Sequence, residues 1–290
     1  MFRRILILVA VLVPFLGTPA AASTVDASLE HEVEQLLDEP PASNAWATEN
    51  EYINAIFYGE EPDRFILTAG AWWARLKGPV EFSNGAELDV SETFGLRARK
   101  FIPFIRAAWR LGWFEITFEG FWYDNNGDQI VATEFELDGV IFEVGDVISS
   151  RIRIHQYKLT LGFALIRLDY ATLKLQIGAA ALYTEGKVRA VNVDAEARWD
   201  QWLPLPTIGL ALTGYIRYPW LYSVEFGWIG LSTDVFDVNA IDGRVSIGYE
   251  FNDYVNLSAG YRYLGIKGDI DAVSVDITLD GFYLELYILF

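Results

Sequence analysis

Histidine is the side chain best suited to acid-base chemistry near neutral pH, and this sequence has two of them, His31 and His155. Cysteine is absent, which excludes thiolate metal sites, disulfides and thiol nucleophiles. Ser149 and Ser150 lie near His155 in the chain, but neither has a spacing recognisable as a Ser-His-acid site. We therefore expect no enzyme activity and no cofactor.

The run Asp124-Asn125-Asn126-Gly127-Asp128 begins like a calcium-binding loop. That motif next needs a glycine where Gln129 stands and a closing glutamate where Phe135 stands. The mismatch favours a turn with solvated carboxylates, and no metal site is assigned. Other acids fall in segments interpreted as loops. Loosely held divalent cations are an alternative set of partners there. These acids are Asp234, Asp237, Asp242, Asp269, Asp271 and Asp276.

The chain begins with the features of a secretory signal peptide, predicted to span residues 1–22. Arg3 and Arg4 precede an apolar run that is shorter than the roughly 20 residues of a membrane helix, and small residues end the segment at Ala22. Cleavage there would leave 20 of the 22 basic residues against 40 acidic ones. Such acidity argues against nucleic acid as a partner.

Bulky apolar residues recur at every second position from Arg64 onward, which is the period of a strand with two different faces. Eight segments show this alternation clearly. Two others, 64–77 and 89–109, show it less clearly, and Pro103 predicts an irregularity in the second. The sequence therefore predicts an all-β, antiparallel up-and-down transmembrane β-barrel of ten strands, with eight as the alternative.

The predicted connections alternate between short turns and longer loops, as in barrels that cross a membrane. A closed sheet satisfies every backbone group where no water is available. The turns are expected near 111–112, 167–169, 218–220 and 252–253. The loops are expected near 78–88, 125–146, 186–196, 234–242 and 265–274.

The signal peptide, the alternating strands and the terminal Phe290 together resemble those of bacterial outer-membrane β-barrel proteins as a class, over residues 64–290. The resemblance implies the outer membrane of a Gram-negative-type bacterium and a last strand read by the barrel-assembly machinery. That strand would present Phe282, Leu284, Leu286, Ile288 and Phe290. A secreted soluble barrel is the alternative, but it would place the bulky residues inside.

The omptins, a protease family in that class, have ten strands and are the nearest enzyme analogy. Their pattern needs a histidine two residues from an aspartate, together with a second acid pair. His155 has Arg153 and Tyr157 at those offsets, so no catalytic residue is carried over. An enzyme acting on lipid A or peptides remains the third hypothesis.

Residues 23–63 precede the predicted barrel. Leu29 to Asp38 has helical spacing, Pro40-Pro41 follows, and a second short helix is possible from Asn44 to Phe57. A periplasmic leader and a segment inserted into the lumen both fit this pattern.

Charged residues of both signs occupy the face that would point into the barrel. They favour a narrow, ion-paired lumen and a structural or surface-interaction role, with a narrow porin-like channel for ions or small solutes as the alternative. These lumen charges are Lys100, Arg106, Glu115, Glu119, Lys158, Lys174, Arg217, Glu225, Arg244, Glu250, Arg262 and Glu285.

A second basic set lies on the outward register near the loop-side strand ends. Such a basic belt would face the phosphates of lipopolysaccharide, which arginine binds well. The alternative is a set of ordinary solvated strand ends, or a register shifted by bulges. The belt residues are Arg75, Lys77, Arg97, Arg99, Arg151, Arg153, Lys187, Arg189, Arg198 and Lys267.

Overall fold

Ten antiparallel strands close into a barrel in the computed structural model, which describes residues 63–81, 87–137, 139–168, 170–192, 195–232, 236–270 and 273–290. The elements are β1 (Arg64–Lys77), β2 (Pro79–Glu81), β3 (Glu87–Asp89), α1 (Val90–Thr93), β4 (Lys100–Leu111), β5 (Phe114–Ile130), β6 (Phe135–Leu137), β7 (Val140–Phe142), β8 (Val147–Leu168), β9 (Ala171–Ala190), β10 (Ala195–Arg217), β11 (Trp220–Ser232), β12 (Phe236–Asn252), β13 (Val255–Ile270) and β14 (Val273–Leu289).

The barrel consists of β1, β4, β5 and β8 to β14, each paired with its neighbours, and β1 pairs with β14 to close the ring. The prediction of ten strands is confirmed, and the alternative of eight is wrong. No helix in the described residues is long and apolar enough to cross a membrane. The predicted signal peptide and residues 23–62 lie outside the described residues.

Each strand has one face outside and one face inside, because successive side chains of a pleated strand point to opposite sides. In β14 the outward Phe282 is 66% exposed, whereas the inward Glu285 is 2% exposed. The outward face of the other strands is likewise bulky and apolar, as at Phe118, Leu161 and Ile247. The alternation read from the sequence is therefore the alternation between the wall's two faces.

The two ends of the barrel differ in their connections. At one end, here called the turn end, four connections are two residues long, at 112–113, 169–170, 218–219 and 253–254. At the other, the loop end, one connection carries β2, β3 and α1, and another carries β6 and β7. The three remaining loops are shorter than predicted, spanning 191–194, 233–235 and 271–272. Cross-strand pairing continues into the predicted loop regions, for example between Lys267 and Asp276.

The predicted strand 89–109 is wrong in its first half. Asp89 caps the short helix α1, and the strand β4 starts only at Lys100. The Asp89 carboxylate accepts hydrogen bonds from the backbone N–H of Gly78 (3.2 Å) and Ser91 (2.8 Å). Burial acts to raise the pKa of Asp89, but the Ser91 side chain and these backbone donors outweigh it and hold the pKa below its ordinary value.

Proline limits strand pairing at the loop end. The pairing of β10 with β11 extends no further than Thr207 with Ile229 in the described residues, although both strands continue. The Tyr215 N–H donates to Tyr170 next to β9, so by alternation Pro204 and Pro206 face β11. Proline has no N–H to donate there. We call this unpaired boundary between β10 and β11 the seam.

Candidate functional site

Three guanidinium groups converge on one carboxylate at mid-height in the lumen. Glu119, which is 2% exposed, lies 2.9 Å from Arg106, 2.6 Å from Arg244 and 2.9 Å from Arg262. The inward register of β4, β5, β12 and β13 brings these side chains together. A buried carboxylate at such distances needs cationic partners, and the cations need further acids.

Two more carboxylates and one lysine complete this charge layer. Glu225 lies 2.8 Å from Arg106 and 3.4 Å from Arg244. Asp242 accepts hydrogen bonds from both Arg262 Nε (3.0 Å) and Nη2 (2.9 Å), and from Lys158 (3.1 Å). The charge layer, defined as Arg106, Glu119, Lys158, Glu225, Asp242, Arg244 and Arg262, joins strands from opposite walls. It therefore ties the barrel across its width.

An apolar roof lies on the loop-end side of the charge layer. Its central members, Trp72, Ile102, Phe121 and Tyr123, are all 0% exposed. The Arg262 guanidinium lies 5.1 Å from the Trp72 ring and 5.3 Å from the Phe121 ring, so cation–π contacts join layer and roof. The lumen is thus charged at mid-height and toward the turn end, and apolar toward the loop end, where sequence reasoning identified no apolar roof.

Loop-end residues continue this apolar packing as a cap. Phe135 of β6 stacks on Phe142 of β7 with ring centroids 5.0 Å apart, and Phe94, just after α1, meets Phe135 edge to face at 6.0 Å. All three rings belong to the same buried cluster as the roof. The lumen is therefore covered by packed side chains from the charge layer to the loop end.

The remaining predicted lumen charges lie around the charge layer. Glu115 contacts Lys174 (2.5 Å) and Arg110 (3.3 Å) near the turn end. Glu285 accepts a hydrogen bond from Tyr287 (2.5 Å). Glu250 accepts one from Tyr215, and Lys100 lies on the inward register of β4.

Arg217 was predicted to point into the lumen, and that prediction is wrong. The register shifts between Tyr215 and Arg217, and Arg217 is exposed beside the turn. Sequence reasoning also placed Asp242 in a loop, whereas the side chain is 4% exposed in the charge layer. Its position two residues before Arg244 on one strand face was the available signal.

A cavity of about 250 Å³ lies on the turn-end side of the charge layer. Strand-end residues such as Arg64, Tyr170 and Leu289 line its outer part, and Arg106 and Glu225 line its inner part. Hydroxyl and amide side chains make up much of the rest of the wall. They are Thr68, Thr117, Thr172, Gln176, Thr213, Tyr215, Tyr222, Ser223, Ser246, Asn256, Ser258 and Tyr287. The turn-end cavity thus has many polar groups among the aliphatic residues of its wall, and it ends at the charge layer.

Most of the predicted basic belt is neutralised by acids on the same outer surface. Arg151 and Arg153 pair with Asp124 and Glu185, at 2.5 and 2.7 Å. Arg198 also reaches Glu185 (3.6 Å). Three lysines have partners of their own: Lys77 with Asp280 at 2.9 Å, Lys187 with Glu196 at 2.7 Å and Lys267 with Asp276 at 2.7 Å. The outer face therefore does not carry a continuous belt of unpaired cations in the described residues.

Three belt arginines have no ion-pair partner of their own. In the part of the chain that the structure describes, Arg75, Arg97 and Arg99 form no ion pair, and all three are exposed. Arg99 lies over the ring of Trp73, 5.2 Å from its centroid, and Trp73 stacks on Phe101 at 6.3 Å. This basic corner, Arg75, Arg97 and Arg99, is the part of the belt that is available to an external anion. Arg189 is exposed but has a partner.

His155 lies on the outer wall among aromatic rings. Its ring is 5.6 Å from Tyr183, which contacts Trp202 at 4.9 Å. Ser149 shares its strand face, but six residues of extended chain separate the two by roughly 20 Å. Ser150 is buried on the opposite face. The geometry gives neither serine access to His155.

The acidic run Asp124 to Asp128 was predicted to form a turn, and that prediction is wrong. The run is part of β5 and pairs with β8. Asp124 is engaged by Arg151 and Arg153, as described above, which explains how the strand accommodates it. Among the described residues, no three histidine, aspartate or glutamate side chains form a group that could hold a metal ion. Asp234 and Asp271 lie outside the described residues, as does His31.

The last strand presents its five predicted residues on the outer face. Phe282, Leu284, Leu286, Ile288 and Phe290 are all exposed, and Phe290 lies 6.0 Å from Phe65 of β1, ring to ring. The backbone N–H of Phe290 donates to Phe65, and the Phe65 N–H donates back. Phe290 therefore helps to close the barrel, and its recognition by the assembly machinery stays a prediction.

Comparison with known proteins finds a likeness in fold alone. No family model and no curated protein matches the sequence. The outer-membrane protease OmpT of Escherichia coli has 11% sequence identity and a TM-score of 0.55, over 80% of this chain and 98% of OmpT. Ail of Yersinia pestis gives 10% identity and a TM-score of 0.37, over 79% of this chain and 100% of Ail. Neisserial surface protein A has 14% sequence identity and a TM-score of 0.33, over 77% of this chain and 96% of that protein.

The closed antiparallel barrel, apolar outside and charged within, defines the fold class of the bacterial outer-membrane β-barrel proteins. The solved structures just named belong to that class, and OmpT is the one among them with a substantial overlap in fold. Within the class, this chain is a ten-stranded barrel whose lumen is filled by a charge layer and an apolar roof.

Proposed function

We propose that this chain is an integral outer-membrane protein whose barrel is closed to solutes and which has a structural or surface-interaction role. The observation that carries the proposal is the double closure of the lumen. The charge layer spans the barrel at Glu119, and the roof above it is built from side chains such as Trp72 and Phe121 with 0% exposure. A solute would have to separate buried ion pairs and displace packed aromatic rings.

The outer wall supports the location and orientation that we propose. Exposed rings and aliphatic side chains, among them Trp109, Leu161 and Ile247, suit contact with lipid rather than water. In outer-membrane barrels short turns face the periplasm, so we assign the turn end to the periplasm and the cap to the outside. The surface contacts would then be made by the capped loop end and the basic corner.

Planar-bilayer recording on the purified, folded protein tests the closed barrel. We expect no discrete conductance steps, because neither ions nor water have a continuous path through the charge layer and roof. Persistent steps would overturn the proposal and favour the narrow channel. Two variants then locate the path, since neutralising a charge that lines a pore changes its conductance.

Arg244→Gln removes a charge from the charge layer, and Arg217→Gln removes one of the same kind from the exposed turn. Steps altered by Arg244→Gln and unaffected by Arg217→Gln would identify a channel through the lumen. Silence in all three proteins supports the closed barrel.

The basic corner is the part of the outer wall that we propose binds lipopolysaccharide phosphate. Arg75, Arg97 and Arg99 have no ion-pair partner among the described residues, and Arg99 lies over the ring of Trp73, which stacks on Phe101. Guanidinium groups bind phosphate through paired hydrogen bonds. At the acidic loops, divalent cations that bridge carboxylates to the same phosphates are a further proposed partner.

Replacing Arg75, Arg97 and Arg99 together by glutamine should weaken lipopolysaccharide binding about tenfold or more, because each arginine loses charge-assisted hydrogen bonds. The measurement is co-purification and titration of lipopolysaccharide with folded barrel in detergent. Lys267→Gln is the matched control, since Lys267 is exposed but already paired with Asp276. Equal binding by the triple variant and the wild type would contradict the assignment.

A further inference from the structure

The turn-end cavity contains polar atoms that no part of the described structure satisfies. Thr68 is 1% exposed, yet its hydroxyl has no hydrogen-bond partner, and the amide oxygen of Asn256 has none either. Both residues line the cavity. A buried polar atom without a partner is costly, so these two atoms indicate that the cavity is shaped for polar contents.

The unsatisfied atoms lie in one row across three strands. Thr68 of β1 and Asn256 of β13 are both register partners of Tyr287 on β14, which lies between them. Two strand spacings separate their backbones by roughly 10 Å. Arg64 lies four residues closer to the turn end on β1, on the same inward face as Thr68. Arg64 lines the cavity and forms no ion pair in the described chain.

We propose that the turn-end cavity binds a small hydroxylated carboxylate, a sugar acid, entering from the turn end. Arg64 at the mouth would bind the carboxylate, and the Thr68 hydroxyl and the Asn256 amide oxygen would bind hydroxyl groups deeper in. Asn256 Oδ1 accepts only, so it requires a donor such as a sugar hydroxyl. This inference goes beyond the proposed function. It requires neither a conducting barrel nor an enzyme activity.

The charges of the cavity distinguish this class of ligand from others. The charged lining has an excess of cations, with Arg64, Arg106, Arg110 and Lys174 against Glu115 and Glu225, so it disfavours a cationic solute. A neutral sugar would use the hydroxyl and amide groups but leave Arg64 without a counter-ion. An apolar solute would cover the Thr68 and Asn256 oxygens without bonding them, which keeps their burial cost. A hydroxylated anion satisfies all three side chains.

Calorimetric titration of the folded, full-length barrel in detergent tests the inference with two probes, sodium glucuronate and glucose. They share a ring and differ in the carboxylate. We expect glucuronate to bind about tenfold or more tightly than glucose, as expected for a charge-assisted contact to Arg64. No measurable binding of glucuronate, or equal binding of the two probes, would overturn the inference and leave a water-filled vestibule.

Two variants test the assigned contacts. Arg64→Gln should remove the preference for glucuronate while glucose binds as before, whereas Arg97→Gln, the same change on the outer face, should leave both affinities unchanged. Thr68→Val keeps the side-chain shape and removes the hydroxyl, so it should weaken both probes several-fold. Wild-type affinities in both Arg64→Gln and Thr68→Val would overturn the assignment. The two variants are independent, so either remains informative if the other fails to fold.

Discussion

Replacing Glu119 by glutamine should lower the free energy of unfolding of the barrel by roughly 3–5 kcal/mol, the cost of removing one partner from a buried ion pair. Glu119 is the carboxylate shared by Arg106, Arg244 and Arg262. An amide of the same size cannot balance their charge, and these guanidinium groups would remain buried. Reversible urea unfolding of the folded protein in lipid or detergent, followed by tryptophan fluorescence, measures the loss.

The matched control for this substitution is Glu250→Gln. Glu250 also faces inward, but the one described hydrogen bond to its carboxylate comes from Tyr215, and no described cation forms an ion pair with it. The expected loss is about 1 kcal/mol, the typical value of a single hydrogen bond. If the two variants lose the same stability, the charge layer does not hold the barrel together in the way its geometry indicates.

Replacing Trp72 by alanine should cost roughly 3–5 kcal/mol of unfolding free energy, because it leaves a cavity in the roof. The Trp72 side chain is 0% exposed, donates its indole N–H to the Gly281 carbonyl (3.2 Å) and meets Phe121 edge to face. It also covers Arg262. The same urea titration measures the loss.

The neighbouring Trp73→Ala is the natural comparison. Trp73 lies on the opposite face of the same strand, is 48% exposed and stacks on the outward Phe101. Its removal leaves no enclosed cavity, so we expect a smaller loss than for Trp72→Ala. A larger loss for Trp73→Ala would mean that the lipid-facing wall, and not the roof, dominates the stability of the loop-end half.

The strand number could be predicted because the outward face repeats the same apolar pattern in every strand, and a period of two is specific to strands. The roof could not be predicted in this way. In β1 the inward Trp72, Ala74 and Leu76 are as apolar as the outward face. When both faces are apolar, alternation no longer tells the lumen from the lipid. For this reason the segment 64–77 looked irregular although the strand is continuous.

Most residues of the charge layer were predicted to face the lumen, but Asp242 was missed and Arg217 was wrongly included among the lumen charges. Arg244 and Glu119 were assigned by strand parity, which depends only on local geometry. Asp242 was missed because acidic density suggested a loop, and the continued pairing of β12 with its neighbours is a tertiary property. Arg217 was misplaced because a bulge shifts parity without a sequence signal. The pairing of the belt cations with outer-face acids was likewise not visible in the spacing.

The seam between β10 and β11 gives the barrel wall mechanical anisotropy. Around the charge layer, every strand is bonded on both sides and ion pairs cross the interior, so the waist resists a change of diameter. On the loop-end side of Thr207, the backbone of β10 is paired with β9 alone within the described chain, and its ladder with β11 does not extend beyond Thr207 and Ile229. Separating β10 from β11 at the loop end would therefore disrupt side-chain packing but no ladder hydrogen bond between the two described strands. We therefore expect the barrel wall to resist deformation most at the charge layer and least along the seam at the loop end.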